Sequence, residues 1–428
     1  MLNIVRKLIP LWLFKKLSPT YHYLAVFLSA LVYGFPSRKI FVVGVTGTKG
    51  KTSVLEIINC ILEKAGYKTA LVSTLRFKIG ESSCRNNLKM TMPGRFFLQK
   101  FLRSAVKRKC QVILMEMTSQ GVAQFRHKFI NIDTMIFTNL SPEHIESHGS
   151  FEKYRKAKMA LFVSLEKSKK KKRTAIINSD DENASYFSGF SVDEEWFYGV
   201  DSESVPDEKK IFVDSYKLQS DGIEFVVDGV EMRSKLLGKF NLYNILAAIS
   251  FARSQNIKWE TIKEAFWSFR GIPGRMEIIE KGKSFKVVID YAHTTESLKE
   301  VYGSFGGCRK ICVLGAAGGG RDKWKRPEMG AIAATNCEEV ILTNEDPYDE
   351  KPMSIIKDIA KGIKSPFKYK IIPDRREAIR EALKMARLND VVIITGKGTD
   401  PYIMGPNGTK IEWDDKTVAS EELRKMGG

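Results

Sequence analysis

Apolar runs alternate with amphipathic stretches over most of the chain. Residues 39–45 (KIFVVGV) form an uninterrupted apolar run, which predicts a strand buried on both faces of a parallel sheet. A glycine-rich turn follows, and residues 52–65 then show the apolar spacing of a helix. Similar apolar runs predict further strands at residues 69–73, 112–115, 134–138 and 174–178. Strands that alternate with helices in this way predict a doubly wound α/β domain.

The pattern changes in the second half of the chain. Residues 194–234 alternate between apolar and polar positions over short runs, which predicts a β-rich excursion. A helix at 241–255 resumes the α/β pattern, and the Gly-Ile-Pro-Gly run at 271–274 predicts a boundary. Later apolar runs predict strands at residues 287–290, 310–314, 339–343 and 391–395. We therefore predict a central domain at residues 38–272, with a mainly parallel sheet plus the excursion, and a Rossmann-like α/β C-terminal domain at residues 273–428.

The first 37 residues differ from the rest in composition. An apolar run at residues 21–35 follows four basic residues: Arg6, Lys7, Lys15 and Lys16. The run has no small-residue cleavage site and is shorter than the roughly 20 residues that a membrane-spanning helix needs. We predict a hydrophobic and basic helical segment at residues 1–37. Two interpretations are open: the helix packs on the domain behind it, or residues 1–35 contact a membrane surface reversibly.

Composition limits the function classes without choosing among them. The 428 residues are 43% hydrophobic and 28% charged, which is typical of a globular protein. The formal net charge of +19 favours anionic partners such as nucleotides, polyphosphates or anionic lipid. The sequence contains no basic motif interleaved with aromatic residues, so we expect no nucleic-acid binding. The six cysteines form no C-x-x-C pair, which favours a reduced, cytoplasmic setting.

A glycine-rich motif, Gly-Thr-Lys-Gly-Lys-Thr at 47–52, directly follows the first predicted strand. Backbone N–H groups of such a P-loop point at phosphate oxygens from the N-terminus of a helix. Lys51 would neutralise the β- and γ-phosphates of a nucleotide, and the Thr52 hydroxyl would bind Mg²⁺. Val45 stands where the strict motif has its first glycine, so the loop is a variant. The motif predicts a set of nucleotide-binding residues: Gly47, Thr48, Lys49, Gly50, Lys51, Thr52 and Ser53.

Two further polar groups follow predicted strands. Glu116 lies at the carboxyl edge of the sheet, where parallel sheets place their ligands, and is a second candidate for Mg²⁺. A structural carboxylate is the alternative. His144 and His148 lie beside carboxylates in the run 138–149. This cluster is consistent with a metal site and also with a polar capping loop, and both interpretations are open.

Seven motifs then occur in one order along the chain. They are the glycine-rich loop, Thr-Asn-Leu-x-x-Glu-His-x-x-x-His-Gly at 138–149, Tyr-x-x-Ala-Lys-x-x-Leu-Phe at 154–162, Gly-Lys-Phe-Asn-Leu-Tyr-Asn at 238–244, Gly-Ile-Pro-Gly-Arg-Met-Glu at 271–277, Asp-Tyr-Ala-His at 290–293 and Gly-Gly-Gly-Arg-Asp-Lys-Trp-Lys-Arg-Pro-Glu-Met-Gly at 318–330. From about residue 39 onward the chain resembles the Mur ligase family, and within it the MurE type.

The resemblance implies ATP-dependent amide formation in peptidoglycan biosynthesis. The γ-phosphoryl group of ATP would pass to a substrate carboxylate, and an amine would attack the acyl phosphate to give an amide, ADP and phosphate. ATP and Mg²⁺ are the implied cofactors, and the implied substrates are an amino acid and a muramoyl-peptide-like acceptor. We expect a cytoplasmic monomer, and peripheral contact with the inner face of the membrane is left open.

The resemblance also implies a catalytic group of four residues. Thr52 and Glu116 would hold one Mg²⁺, and His144 would hold a second. Lys158 would be carbamylated, which converts a cation into an anion that helps to organise the metal pair. Lys51, Glu116, His144 and Lys158 would together carry the phosphoryl transfer.

Further residues would bind the nucleotide and the substrates. Asn244 would contact the adenine. The ribose and phosphates would be closed over from the C-terminal domain by Arg275, Asp290 and Arg321. The substrates would contact Thr91, Ser119, His293, Glu345, Asp346 and Asp400.

The sequence departs from the family at three places. Lys49 replaces the usual asparagine of the phosphate loop, which adds a positive charge and is tolerable for nucleotide binding. Only about 38 residues precede the first strand, where a MurE enzyme has a uridine-binding domain, so we expect that domain to be lacking. A UDP-linked and a lipid-linked acceptor are both open. The family signature Asp-Asn-Pro-Arg aligns with Glu-Asp-Pro-Tyr at 345–348, and the arginine that would clamp diaminopimelate is absent.

The last departure suggests an acidic amino-acid pocket. Asp349 and Glu350 follow the signature, and Asp400 lies in a later loop. Such a pocket would fit a diamine such as lysine better than diaminopimelate. Two other functions are weighed as well: a folylpolyglutamate-synthase-like ligase, and a nucleotide-binding membrane or regulatory module without turnover. Retention of Lys51, Glu116, His144 and Lys158 together speaks against the second.

Overall fold

The predicted apolar runs form the central strands of two separate sheets in the computed structural model, which describes residues 11–143, 145–201, 209–279, 284–365 and 368–426. The larger sheet has nine strands: β1 Phe41–Thr46, β2 Thr69–Val72, β3 Arg76–Ile79, β4 Ser82–Arg85, β5 Val112–Glu116, β6 Thr134–Phe137, β7 Thr174–Asn178, β8 Glu194–Gly199 and β9 Lys210–Phe212. Their order is β4-β3-β2-β5-β1-β6-β7-β8-β9. The seven strands from β2 to β9 in this order pair in parallel, and β3 and β4 pair antiparallel at one edge.

Helices cover both faces of the large sheet because its central strands are apolar on both sides. On this part of the chain the helices are α1 Leu11–Val32, α2 Lys51–Lys64, α3 Arg95–Lys107, α4 Ser119–Ala123, α5 Ile145–His148, α6 Phe151–Glu166, α7 Lys239–Ser254 and α8 Trp259–Ser268. Helices α2, α7 and α8 enclose one apolar core, and α3 and α6 enclose the other. The sheet is therefore a buried layer, and the carboxyl ends of its parallel strands lie together along one border of it.

The predicted β-rich excursion divides between two sheets. Strands β8 and β9 extend the large sheet. A separate antiparallel sheet follows, made of β10 Ser215–Gln219, β11 Gly222–Val227 and β12 Val230–Ser234. Phe225 of this small sheet packs edge-to-face on Phe266 of α8, so the excursion shares the core of the large sheet.

A second α/β layer follows from residue 277 onward. Its strands are β13 Glu277–Ile279, β14 Lys286–Ile289, β15 Lys310–Leu314, β16 Glu339–Leu342, β17 Tyr369–Ile371 and β18 Val391–Ile394, with a small hairpin of β19 Tyr402–Met404 and β20 Lys410–Glu412. The sheet order is β13-β14-β18-β15-β16-β17, and only β13 pairs antiparallel. Its helices are α9 Thr295–Gly303, α10 Lys325–Asn336, α11 Pro352–Ala360, α12 Arg375–Met385 and α13 Asp415–Lys425. The predicted α/β fold class, with a mainly parallel first sheet, is confirmed.

The predicted N-terminal helix is present as α1, and residues 1–10 lie outside the described part of the chain. One side of α1 packs on the protein: Val26 and Ala30 are buried, and the Tyr23 and Phe27 rings lie 5.4 and 5.3 Å from the Phe129 ring. Among the described helices, none is long and apolar enough to cross a membrane.

The cysteines differ from expectation at one place. Cys312 on β15 and Cys337 just before β16 form a disulfide, whereas their 25-residue separation gave no pairing signal in the sequence. The strands β15 and β16 are hydrogen-bonded neighbours, and this pairing brings the two cysteines together. The proximity of these two cysteines depends on the order of strands in the sheet, which cannot be predicted from their spacing along the chain.

Candidate active site

The P-loop joins β1 to α2 at the carboxyl edge of the large sheet. Gly50 has φ +82°, which is accessible to glycine and strained for other residues. A Cβ at Gly47 would collide with the Thr138 hydroxyl, and one at Gly50 would collide with the Asn244 side chain. The loop is also braced by Asn139, whose Oδ1 accepts from the Lys49 N–H at 2.9 Å. Both glycines are thus required by close approach of other segments.

Two lysine amines converge on one carbonyl oxygen of this loop. Lys51 Nζ donates to the Gly47 carbonyl at 2.9 Å, and Lys158 Nζ donates to the same oxygen at 2.7 Å. Burial lowers the pKa of both lysines, and the neighbouring Lys51 charge lowers the pKa of Lys158 further, to well below its ordinary value. Two adjacent buried ammonium groups repel each other, so the arrangement favours a neutral amine at Lys158.

Thr52 and Glu116 meet beside these lysines. Thr52 Oγ1 donates to Glu116 Oε1 at 2.7 Å, and Glu116 pairs in register with Val45 of β1. The same carboxylate accepts from the Thr74 N–H at 2.8 Å and from its hydroxyl at 2.9 Å. The Thr74 hydroxyl contacts the Thr91 hydroxyl at 2.8 Å, so the predicted substrate residue Thr91 is one contact away from Glu116.

The Thr52–Glu116 pair has the donors that Mg²⁺ prefers, a hydroxyl and a carboxylate oxygen. His144, the predicted ligand of a second Mg²⁺, lies outside the described residues. Within the described ranges, no three or more His, Cys, Asp or Glu side chains are grouped as potential metal ligands. The Thr52–Glu116 pair itself fits a Mg²⁺ that a nucleotide phosphate would help to bind.

Helix α6 brings a residue that the sequence prediction passed over. Tyr154 lies one helical turn before Lys158, and its hydroxyl contacts the Thr48 hydroxyl of the P-loop at 3.1 Å. The Lys158 amine lies 4.7 Å from the centre of the Tyr154 ring. The i,i+4 spacing of Tyr154 and Lys158 was the sequence signal that could have placed the Tyr154 ring beside the Lys158 amine. Ser119, a predicted substrate residue, contacts His148 Nε2 at 3.0 Å near the same helix.

Asn244 lies beside the P-loop, and the other predicted nucleotide-binding residues, Arg275, Asp290 and Arg321, lie in the C-terminal part of the chain. Asn244 Nδ2 donates to Asn241 Oδ1 at 2.9 Å, and its side chain abuts Gly50. Asp290 is buried and accepts from the Met276 N–H at 2.7 Å, and burial raises its pKa. Arg275 stacks over the Tyr291 ring at 4.2 Å, whereas Arg321 is exposed on its glycine-rich loop.

Three contacts join the two layers across the active-site cleft. Lys49 Nζ, at the position that departs from the family, lies 3.2 Å from Glu296 Oε2 of α9. His293 Nε2 lies 3.5 Å from Glu143 Oε1, and the Glu146 N–H is 3.4 Å from Asp322 Oδ1. The sequence gave Glu143 and Glu296 no role, because their partners lie about 150 and 250 residues away. These contacts hold the two layers together beside the P-loop.

Two of the carboxylates predicted to bind substrate, Asp346 and Asp400, are paired with lysines of the chain. Lys397 Nζ lies 2.8 Å from Asp346 Oδ1 and 3.1 Å from Asp400 Oδ2, and Lys89 contacts both carboxylates as well. Glu345 is buried beside them, and burial raises its pKa. Two internal ammonium groups thus lie against Asp346 and Asp400, and the preference for a diamine stays a prediction.

Comparison with known proteins gives these residues a family context. The model of the Mur ligase middle domain matches residues 45–252, and that of the Mur ligase glutamate ligase domain matches residues 274–398. The chain belongs to the Mur ligase family. Among curated relatives of this Mur ligase, the UDP-N-acetylmuramoyl-L-alanyl-D-glutamate--2,6-diaminopimelate ligase of Syntrophomonas wolfei is 37% identical over 93% of this chain and 81% of the relative. The enzyme of the same name from Halalkalibacterium halodurans is 33% identical over 92% and 80%.

Solved structures agree with this assignment. A UDP-N-acetylmuramoyl-L-alanyl-D-glutamate--2,6-diaminopimelate ligase aligns over 91% of this Mur ligase and 79% of its own chain, with a TM-score of 0.61 and 27% identity. A Mycobacterium tuberculosis folylpolyglutamate synthase solved with ADP and AMPPCP aligns over 94% of both chains, with a TM-score of 0.69 and 14% identity. At that identity the second likeness shows a shared fold alone. The stronger sequence similarity is to the MurE type.

Proposed function

We propose that this Mur ligase joins an amino acid to the carboxylate of a cell-wall precursor at the expense of ATP. The observation that carries the proposal is the convergence of Lys51, Lys158, Thr52 and Glu116 at one end of the P-loop. A nucleotide-binding module without turnover would have no use for a buried lysine held against the phosphate loop. The similarity to named diaminopimelate ligases supports the same conclusion.

The chain's own residues would perform the phosphoryl transfer by position and charge. The acceptor carboxylate attacks the γ-phosphorus of ATP, ADP leaves, and an acyl phosphate forms. The amine of the amino acid then attacks the acyl carbon, and collapse of the tetrahedral intermediate releases phosphate and the amine proton. Lys51 is placed to turn from the Gly47 carbonyl toward phosphate oxygens and to balance the charge that develops there.

We propose Thr52 and Glu116 as the groups that hold Mg²⁺, and Asn244, Arg275, Asp290 and Arg321 as nucleotide-binding residues. When bound, Mg²⁺ supplies charge neutralisation to the phosphates. The three contacts across the cleft support the idea that the C-terminal layer closes over the nucleotide. This division follows the predicted limits at residues 38–272 and 273–428, which remain part of the proposal.

We also propose that Lys158 carries a carbamate. A neutral lysine amine adds to CO₂ and loses one proton, which gives an N-carboxylate anion. The lowered pKa of Lys158, caused by burial and by Lys51, raises the fraction of the amine in the reactive neutral form. A carbamate at this position would also place a negative charge beside the Lys51 ammonium, which is an attraction between opposite charges.

The direct test is phosphate release by the purified full chain with ATP and Mg²⁺. We expect turnover only when both a UDP-muramoyl-dipeptide acceptor and an amino acid such as diaminopimelate are present. Each acceptor and each amino acid is also omitted in turn as a control. ATP binding without phosphate release, across UDP-linked, lipid-linked and folate-like acceptors, would contradict the ligase proposal.

We further propose that α1 rests on an anionic membrane surface. Opposite the side that packs on the protein, five apolar side chains follow helical spacing and are 47–63% exposed: Tyr21, Leu24, Leu28, Leu31 and Val32. Exposed Arg38 and Lys39 lie in the short 3₁₀ turn Pro36–Lys39 that follows the helix after Tyr33, Gly34 and Phe35. A second copy of this chain would bring another part of a molecule with net charge +19, whereas an anionic bilayer complements both the apolar face and the charge.

Vesicle co-sedimentation tests this surface. We expect the full chain to bind phosphatidylglycerol vesicles, and the double variant Leu28→Glu, Leu31→Glu to bind at least about tenfold more weakly because it loses apolar contact and gains like charge. The matched control is Trp267→Glu, since Trp267 is 83% exposed elsewhere in the chain. Equal binding by the double variant and the wild type would rule out this face.

A further inference from the structure

Two arginines lie close together where α1 meets the start of α3. Arg95 is the first residue of α3, and its charge, together with burial, lowers the pKa of Arg126. Within the described ranges, no Asp or Glu side chain pairs with either guanidinium group. Helix α1 cannot supply a carboxylate, because the first acidic residue of the chain is Glu56. The two positive charges therefore repel each other at a place that would favour an anion.

The hydrogen bonds of the two arginines leave donors unused. Arg126 Nη1 donates to the Met92 carbonyl, and its Nη2 donates to Gln124 Oε1 at 2.6 Å. Arg95 Nη2 donates to the Nδ1 atom of His22 on α1. Among the described residues, Arg95 Nη1 and Arg126 Nε are buried and have no hydrogen-bond partner. Buried donors without acceptors are costly, so a ligand that brings acceptor oxygens would be stabilised here.

His22 and the N-terminus of α3 add further donors. Because arginine only donates, His22 Nδ1 accepts, and the proton of the neutral ring is on Nε2. Burial and the charges of Arg95 and Arg126 lower the pKa of His22, which favours this neutral ring. Helix α3 begins after Gly94, which has no side chain to cap the first backbone N–H groups. Phosphate oxygens can accept from all three kinds of donor, and arginine suits them best.

Apolar side chains lie beside these polar groups. The Tyr21 ring is 5.5 Å from the central guanidinium carbon of Arg95. Tyr21 and Leu24 are exposed on α1, and Phe96, which follows Arg95 on α3, is exposed as well. An inorganic phosphate ion would leave this apolar surface in water, whereas a phosphate attached to an acyl chain would cover it. The surroundings therefore favour the phosphate of a lipid.

We propose that His22, Arg95 and Arg126 bind the phosphate headgroup of a membrane lipid. The inference rests on the proposed membrane contact of α1 and names the headgroup that this surface recognises. The apolar face of α1 would contact acyl chains, while the turn of α1 that carries His22 would lie at the level of the lipid phosphates. Binding of this kind requires no ligase turnover.

Isothermal titration of the full chain with dihexanoyl phosphatidic acid, kept below its micellar concentration, tests the site. AMPPCP and Mg²⁺ are present throughout to occupy the P-loop. We expect Arg95→Gln to bind this lipid at least about tenfold more weakly than the wild type, because it loses a charged donor to the phosphate. The matched control is Lys100→Gln, which removes the same charge from an exposed position on α3 and should stay within about twofold of the wild type. Unchanged AMPPCP affinity in Arg95→Gln would show that the variant is folded.

Two other ligands separate the phosphate from the apolar chain. We expect inorganic phosphate and dihexanoyl phosphatidylcholine each to bind at least about tenfold more weakly than the phosphatidic acid. Equal affinity for inorganic phosphate would overturn the lipid assignment, and equal affinity for the phosphatidylcholine would reduce the site to apolar contact. Equal affinity of Arg95→Gln and the wild type for phosphatidic acid, or no binding by either, would overturn the site. Failure of the wild type to sediment with vesicles would instead count against the membrane contact of α1, because the titration uses no bilayer.

Discussion

Replacement of Lys51 by methionine is expected to lower kcat for phosphate release by about 10²- to 10³-fold, the usual cost of removing one preorganised charge partner at a reacting centre. Methionine keeps most of the length and apolar volume of the side chain. The Lys51 ammonium donates to the Gly47 and Thr48 carbonyls at 2.9 Å each, so it lies within the curve of the loop that receives phosphate. The fold should survive, because the strand and helix on either side are buried by other residues.

Lys49→Asn is the matched control for this experiment. Lys49 is a neighbouring lysine on the same loop, but its ammonium points across the cleft to Glu296, 3.2 Å away. Because the pair is partly exposed, we expect its loss to change kcat by only a few fold. An equal loss of kcat in both variants would mean that phosphate release depends on the total charge of the loop. Retention of wild-type kcat by Lys51→Met would show that Lys51 has no part in the proposed phosphoryl transfer.

Replacement of Lys158 by alanine is the second change with a large expected effect. We expect at least about a 10²-fold loss of kcat, because the carbamate is proposed to organise charge beside the metal and cannot form on alanine. Lys156→Ala is the control, since Lys156 is exposed on the same helix, α6. Full activity in Lys158→Ala would refute the catalytic role.

The carbamate itself has a separate readout. With ¹³C-bicarbonate we expect a carbamate carbon signal in the wild type and none in Lys158→Ala. The pKa of Lys158 is lowered by burial first and then by Lys51, so the fraction of neutral amine that can react with CO₂ is larger than for an exposed lysine. Acidification should release the CO₂, because protonation of the amine favours the free lysine. A wild type that lacks this signal yet turns over fully would show that Lys158 acts unmodified.

The sequence predicted most strand positions to within one or two residues. The runs at 174–178 and 310–314 coincide with β7 and β15, and the helix expected at 52–65 is observed at Lys51–Lys64. These elements are long apolar or periodic segments bounded by turns, and their burial is decided locally. The β-rich run at 194–234 was recognised as strands, but its division between two sheets was not predicted. The alternation of apolar and polar positions shows which face of a strand is buried and does not show which strand it pairs with.

The candidate site was also predicted only in part from the sequence. The P-loop, Glu116 and Lys158 were found from motifs, since a glycine-rich turn and the end of a buried strand have a recognisable local chemistry. Thr74 was missed, because only the return of the chain beside β5 places its hydroxyl on the Glu116 carboxylate. The contact of Lys89 with Asp346 and Asp400 was missed, because Lys89 is more than 250 residues away from either aspartate along the chain.

By itself, the sequence determined that this protein is an α/β Mur ligase with a phosphate-binding loop, because those properties depend on local periodicity and on motifs a few residues long. Only the tertiary structure decided that two lysine amines share the Gly47 carbonyl, that α1 leaves an apolar face exposed, and that Lys89 occupies the acidic pair. Each of these features depends on which charged groups and apolar surfaces the folded chain places next to one another. Electrostatic interaction energies fall with distance between atoms, whatever the number of residues between them along the chain.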